Sequence, residues 1–390
     1  MTERDFRSVL FLACFLSSVA ANAYIIAPAS VAPLLLDQFD VTRSAAGVAI
    51  SAAVFGFAFV QLPSGFLMDR YDNRRMIMIG AAVFGPAGVA GVFAPSYELF
   101  LVGRFVAGLA GGTVFVLGTN VVSQVFSGAR QGLVLTVFIA SAPVGFALSQ
   151  FAGPVLAARF GWAANFLAYP LLALLSIPLF ALSWSTPVRA PDPISFPEFK
   201  RAVGNRSVLL VGISAFCSYM FYIFFNSWMP TYATESLPLT LSEAGAITSL
   251  LPAVGLLARP AGGLVSDALG NRRRPVVVAS LLFALPGLAV INYYLSPLSF
   301  AVTMLGVGFS IQFGAGVYYV YARELAPEGA SGTSLSVFTT IAFTGTLVSP
   351  TVGGLLIDAF SWTVAFVAYG GIGCLGVVLL ALVPESDPAT

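Results

Sequence analysis

The sequence predicts an all-α membrane protein: twelve transmembrane helices in two pseudo-symmetric six-helix bundles. Three observations lead there. The 390 residues are 58% hydrophobic and only 9% charged, whereas a soluble domain carries about 25% charged residues. Such a chain cannot cover itself with a water-compatible surface. Its apolar residues fall into runs long enough to cross a bilayer, and one short charged turn is written twice, half the chain apart.

A crossing takes about 20 apolar residues. Turn signals part the chain into runs at 8–30, 44–66, 76–94, 98–120, 132–156 and 161–184, then 207–229, 243–265, 275–294, 298–320, 332–356 and 361–383. Run length and the lack of two-residue alternation make these helices, not barrel strands. The first run has a rival reading. Arg4 and Arg7 precede an apolar core ending in Ala21-Asn22-Ala23, which has the look of a signal-peptidase site. The apolar run continues past it and the repeat needs this span, so the span is expected to stay.

The duplicated turn is GFLMDRYDNRR at 65–75 and GLVSDALGNRR at 263–273, an offset of 263 − 65 = 198. In each copy a glycine, Gly65 or Gly263, precedes an aspartate, Asp69 or Asp267, by four residues. A basic cluster then follows an asparagine: Asn73, Arg74 and Arg75, or Asn271, Arg272, Arg273 and Arg274. Thr42, Ser44, Ala46 and Gly47 meet Thr240, Ser242, Ala244 and Gly245 at the same offset, and Tyr24 meets Tyr222. Further on the offset is 332 − 132 = 200, pairing Gly132, Phe138, Gly153, Trp162 and Tyr169 with Gly332, Phe338, Gly353, Trp362 and Tyr369. Self-similarity at half-length means two homologous units. Six crossings return the chain to its starting side, so the units share one orientation: a bundle at 1–184, a linker at 185–205 and a bundle at 206–390.

Basic residues orient the chain. With the N-terminus inside, 14 of the 18 Lys and Arg fall on cytoplasmic segments and only Arg43 and Arg159 outside. The positive-inside rule then puts both termini in the cytoplasm of a multi-pass plasma-membrane protein. The Pro-rich linker, with an amphipathic piece at 196–203, is expected on the inner membrane surface.

Composition also excludes. A net charge of +1 gives no nucleic-acid signal, and histidine, the commonest metal ligand and proton shuttle, is absent. Cys14, Cys217 and Cys374 lie in apolar runs, so neither a disulfide framework nor a thiolate metal site is expected, and no cofactor or metal is assigned. All 17 acidic residues fall in loops or at span ends. A membrane-bound enzyme would need a clustered acid–base or metal constellation, so no catalytic residue is assigned. A non-transporting membrane receptor or scaffold stays open as an alternative, although it would usually carry a larger soluble domain than a longest loop of about twenty residues.

Two six-span halves, a cytoplasmic central loop and the D-R-x-x-N-R-R turn resemble the major facilitator superfamily over essentially the whole chain. The family pattern G-x-L-x-D-R-x-G-x-R-R is matched by Gly65, Leu67, Asp69, Arg70, Arg74 and Arg75, with Asp72 in place of glycine. The second copy keeps that glycine as Gly270 and has Ala268 at the first basic position. The resemblance implies a transporter of a small solute, working as a monomer in the bilayer by alternating access about a midplane site. It also implies that Gly65, Asp69, Arg70, Arg74, Arg75, Gly263, Asp267, Arg272 and Arg273 form a cytoplasmic gate. The alternative is that they are interfacial charges that specify topology.

Two arginines lie inside spans, where a charge is by default a functional hypothesis. Arg104 opens RFVAGLAGG, similar to the family's R-x-x-Q-G segment with Ala107 replacing glutamine; it lies toward the outer end, within snorkelling reach of headgroups. Arg259 sits in ARPAGGLVSD, about two helical turns before Asp267, and its repeat partner is Gln61 (259 − 198). In anion-carrying members, facing arginines bind the anion, although the glycine-asparagine signature of nitrate carriers is missing here. No span embeds a carboxylate able to carry a proton, which favours an anion held by Arg259 over a proton-coupled drug exporter. Gly153-Pro154 resembles the antiporter motif, and the exporter reading stays as the alternative. In this fold the first helix of each three-helix unit lines the cavity, which adds Asn22, Tyr24, Asn120, Tyr219, Tyr222, Asn226 and Gln312 as substrate-binding candidates; each could equally bond to a neighbouring helix.

Overall fold

A computed structural model describes residues 3–126, 131–183, 204–293, 296–327 and 331–385, with side chains except at 3–5, 62–70, 131–133, 292–293 and 331–333. Twelve helices among these residues are long and apolar enough to cross a membrane. They are α1 (Phe6–Ser30), α2 (Arg43–Gln61), α3 (Asn73–Val92), α4 (Tyr97–Val125), α5 (Val134–Phe160), α6 (Trp162–Leu182), α7 (Arg206–Ser236), α8 (Leu241–Ala268), α9 (Arg274–Ile291), α10 (Pro297–Glu324), α11 (Ser334–Ala359) and α12 (Trp362–Ala381). The helix of α2 runs on to Arg70. Side-chain caps start several of them: Ser96 accepts from the Leu99 N–H, Ser296 from Ser299 and Asn205 from Val208. Most of the linker expected at 185–205 lies outside the described residues.

The chain forms two compact units, Met1–Val41 with Val48–Pro193, and Thr42–Gly47 with Ile194–Thr390. In the first, α1 packs against α4, α5 and α6, while α3 packs against α4 and α6. In the second, α7 packs against α10, α11 and α12, while α9 packs against α10 and α12. The sequence repeat is therefore a repeat of packing. It extends to single atoms: a side chain on Gly108 would strike the Ala53 carbonyl oxygen, and one on Gly308 the Leu251 carbonyl oxygen. Those pairs are related by 308 − 108 = 200 and 251 − 53 = 198.

The outer surface is apolar. Phe59, Leu175, Leu257, Leu264, Phe283 and Val367 are among many large hydrophobic side chains left exposed, an arrangement that water penalises by about 25 cal/mol per Å² and lipid does not.

The two charged turns differ where their sequences differ. At Gly270 the chain takes the left-handed conformation (φ +72°), followed by Asn271 at φ +62°, a geometry that glycine and asparagine tolerate. At the equivalent position Asp72 is extended (φ −67°, ψ 113°) and its side chain caps α3 by accepting from the Arg74 N–H at 3.2 Å. The departure from the family glycine therefore exchanges a left-handed turn for a helix cap.

Candidate functional site

Span α8 is broken into three helical pieces, Leu241–Thr248, Leu250–Ala253 and Gly255–Ala268. Pro252 withholds the N–H that the Thr248 carbonyl would accept, which accounts for the first break. Arg259 lies on the last piece, half-buried. Its Nε donates to Gln312 Oε1 of α10 at 3.0 Å, and Gln312 Nε2 donates to the Tyr222 hydroxyl of α7 at 3.2 Å. Gln312 reaches this place because residue 255 is glycine; any side chain there would strike the Gln312 amide. Arg259 uses no other donor among the described residues, so its Nη1 and Nη2 have no protein partner there. Asp267, the carboxylate two turns further on, is engaged by Arg273 at 2.8 Å.

The other second-unit candidates lie beside this triad. Asn226 Nδ2 donates to the Tyr222 carbonyl oxygen, one turn away on α7 (2.9 Å). Tyr219, three residues before Tyr222, donates to the hydroxyl of Tyr319 at 3.1 Å. Tyr319 was not among the sequence candidates, yet it lies seven residues from Gln312, on the same helical face.

The first-unit candidates do not join into such a group. Arg104 does not snorkel: it is fully buried, and all three guanidinium nitrogens donate to main-chain carbonyls, Nε to Ala49 (2.9 Å), Nη1 to Tyr24 (2.5 Å) and Nη2 to Ile25 (2.8 Å). The Tyr24 ring lies against it, 4.4 Å from ring centroid to guanidinium carbon. Pro28 explains the clamp, since a proline four residues on leaves the Tyr24 carbonyl without its helical donor. Asn22 Nδ2 donates within its own helix to the Ser18 carbonyl (2.9 Å), and Asn120 Oδ1 accepts from Gln124 (3.0 Å). Gln61 is half-buried in α2.

Of the gate candidates, Gly65, Asp69 and Arg70 lie on the end of the α2 helix, in the stretch whose side chains are not described. Arg74 is buried, donating to the Ser183 carbonyl (2.5 Å) and the Phe180 carbonyl (3.3 Å). Arg75 is exposed, 3.8 Å from Asp72. A side chain at Gly263 would meet open space, and Arg272 is exposed. Arg273 is the centre of the second copy. Its guanidinium bonds Asp267 (2.8 Å), Glu324 (2.9 Å) and Ser266 (2.9 Å), and its main-chain N–H donates to Glu385 (2.7 Å). Glu324, then Asp267, hold this guanidinium above its ordinary pKa against the opposing effect of burial. Glu324 and Glu385 carry no signal in the sequence reading; Glu324 closes α10 and Glu385 follows α12. At the opposite span ends, the first turn of α2, counted in the second unit, forms an Arg43–Glu235 pair at 2.6 Å, and the Ser44 N–H donates to Asp358 at 2.8 Å.

A profile of the Major Facilitator Superfamily matches residues 10–345 and again 211–390. The chain is a member of the Major Facilitator Superfamily. It is 24% identical to the "Probable galactarate/D-glucarate transporter GudP" of Bacillus subtilis, covering 89% of this chain and 86% of that protein. It is likewise 24% identical to the "Probable sulfoacetate transporter SauU" of Cupriavidus necator, over 90% and 87% of the two chains. With the "Probable nitrate/nitrite transporter NarK2" of Mycobacterium tuberculosis it shares 26% identity over 90% and 91%. Among solved structures, the bacterial homologue of the lysosomal transporter Spinster superposes with a TM-score of 0.78 at 16% identity, covering 96% of this chain and 94% of that one. This superfamily member is thus a multi-pass integral membrane protein of a transporter family.

Proposed function

We propose that the protein is a secondary transporter of a small anion, working by alternating access, in which Arg259 reads the charge of the substrate. One observation carries this reading: Arg259 is anchored through Nε alone, which leaves the paired terminal nitrogens of a half-buried guanidinium without a protein partner among the described residues. That edge offers two parallel N–H donors to an oxyanion. A cation held in a low-dielectric site needs an anionic or hydrogen-bonding partner, and the nearest carboxylate along α8, Asp267, already pairs with Arg273. Glucarate, sulfoacetate and nitrate, which appear in the names of relatives, are all anions.

The test is uptake into proteoliposomes of D-glucarate, sulfoacetate and nitrate. Arg259→Gln should abolish uptake of whichever anion the wild-type protein carries, while the variant still purifies as folded protein. Arg259→Lys should transport with weakened affinity, since charge is kept and the planar fork is lost. Normal affinity in the glutamine variant would replace the anion reading by that of an exporter of other solutes.

Both termini face the cytoplasm of a cell membrane in this reading, and the cluster around Arg273 helps to hold the cytoplasmic side closed. Cysteines replacing Glu98 and Arg272, in a cysteine-free background, should then label from outside and inside respectively. Labelling of both from one side would exclude this topology.

A further inference from the structure

The hydroxyl pair of Tyr219 and Tyr319 is not used by any element of the anion reading. It joins α7 to α10 through one hydrogen bond of 3.1 Å. Whichever hydroxyl donates, the other keeps a proton that no described residue takes up. Neither residue is fully buried, and both lie within electrostatic reach of Arg259. Their rings are fixed from behind by edge-on contacts, Tyr219 to Phe343 at 5.9 Å and Tyr319 to Phe338 at 5.2 Å between centroids. The hydroxyls are therefore preorganised.

Position along the helices gives the spacing. Tyr219 lies about one turn from Tyr222 on α7, and Tyr319 about two turns from Gln312 on α10. Tyr222 and Gln312 are the residues that hold Arg259. The main-chain positions of the tyrosine pair are thus displaced by roughly 5–10 Å along the helix axes from those of the two residues that hold the guanidinium. Nitrate or another compact ion is too short to occupy both places. A chain acid with a second polar group several bonds from its carboxylate is long enough.

We infer that Tyr219 and Tyr319 form a second subsite, which takes a hydroxyl or second carboxylate of the anion whose charge Arg259 reads. The substrate is then a hydroxylated organic acid or diacid, not an inorganic ion. This inference rests on the anion reading of Arg259.

The experiment is calorimetric binding of D-glucarate and of acetate to the purified full-length protein. The quantity read is the ratio of the two affinities. Wild-type protein should prefer D-glucarate, and the ratio should fall about tenfold in Tyr219→Phe/Tyr319→Phe, the change expected on losing a hydrogen bond to a charged or strongly polar group. The double variant removes both hydroxyls, so neither is left without its partner, and both rings remain in place. Tyr319→Phe alone, which retains the Tyr219 hydroxyl, should lower the ratio by a smaller factor. Wild-type protein that binds D-glucarate no better than acetate, or a ratio unchanged in both variants, would overturn the inference and leave the anion reading standing. Arg259→Gln separates the two: it should lose both acids, and if it keeps them the anion reading itself fails.

Discussion

Gly255 and Gln312 meet across α8 and α10, and the contact exists only because one of them lacks a side chain. Their repeat equivalents in the first unit are Phe57 (255 − 198) and Gly112 (312 − 200). There too the pair is in contact, with the sizes exchanged: a side chain on Gly112 would strike the main chain of Phe57. The duplicated scaffold has thus kept one close approach in both halves. In the second half it turns the space toward an amide able to hold an arginine.

Gly255→Ala should therefore push the Gln312 amide away and release Arg259 Nε, while leaving the fold intact, because the obstacle is a side chain and not backbone. The expected result is an anion KM raised about tenfold, comparable to the loss of one charge-assisted hydrogen bond, with unchanged thermal midpoint. An unchanged KM would show that Gln312 does not position Arg259.

Arg104 should behave in the opposite way. Arg104→Gln removes donors from the carbonyls of Tyr24, Ile25 and Ala49 in a fully buried place. The Tyr24 carbonyl has no helical donor to fall back on, because residue 28 is proline. A buried acceptor left unsatisfied costs about 1–3 kcal/mol, so the variant should show a lowered thermal midpoint and a reduced yield of monodisperse protein. The fraction that folds should bind the anion with near-normal affinity. A stable variant with lost affinity would return Arg104 to the substrate site.

The twelve spans were legible because bilayer thickness writes itself into run length. The two units were legible because a duplication leaves a nearly fixed offset, 198 and then 200 residues. Arg259 and Gln312 could be selected because charge and amide groups are scarce in spans, and Tyr222 because it lies on the first helix of a three-helix unit. Tyr319, Glu324 and Glu385 were not selected, since each acts on a residue more than 50 positions away and hydropathy carries no inter-helix distance; the seven-residue spacing from Gln312 was the only trace of Tyr319. That Arg104 is buried and not snorkelling is hidden from the sequence for a related reason. A hydropathy scale counts arginine as a cost and cannot register that Pro28, in a different helix, leaves a carbonyl in need of a donor. Asp72 looked like a flaw in a glycine position, and only the backbone angles show that this copy of the turn never enters the left-handed region.

If the charged turn of the second unit closes the cytoplasmic side as proposed, its residues should not contribute equally. Arg273 divides its guanidinium between Asp267 and Glu324 at nearly equal distances, 2.8 and 2.9 Å, but the two carboxylates are not in equal surroundings. The Asp267 side chain is 64% exposed and that of Glu324 32%. Exposed pairs are screened by water and salt and contribute about 0–1 kcal/mol, so the Glu324 arm should carry more of the interaction. The repeat partner of Glu324 is the neutral Gln124 (324 − 200), whose amide donates to Asn120 at 3.0 Å. A glutamine at 324 is therefore a side chain that this scaffold accepts at the equivalent place. Glu324→Gln should fold, lower turnover, and make cysteines on the cytoplasmic side of the transport path react faster with thiol reagents. Asp267→Asn should do the same to a smaller degree, and the double variant should fall short of the sum of the two, because both carboxylates act through one arginine. Wild-type flux in both single variants would reduce the cluster to a topology marker, and a larger effect from Asp267→Asn would mean that its exposure changes during the transport cycle.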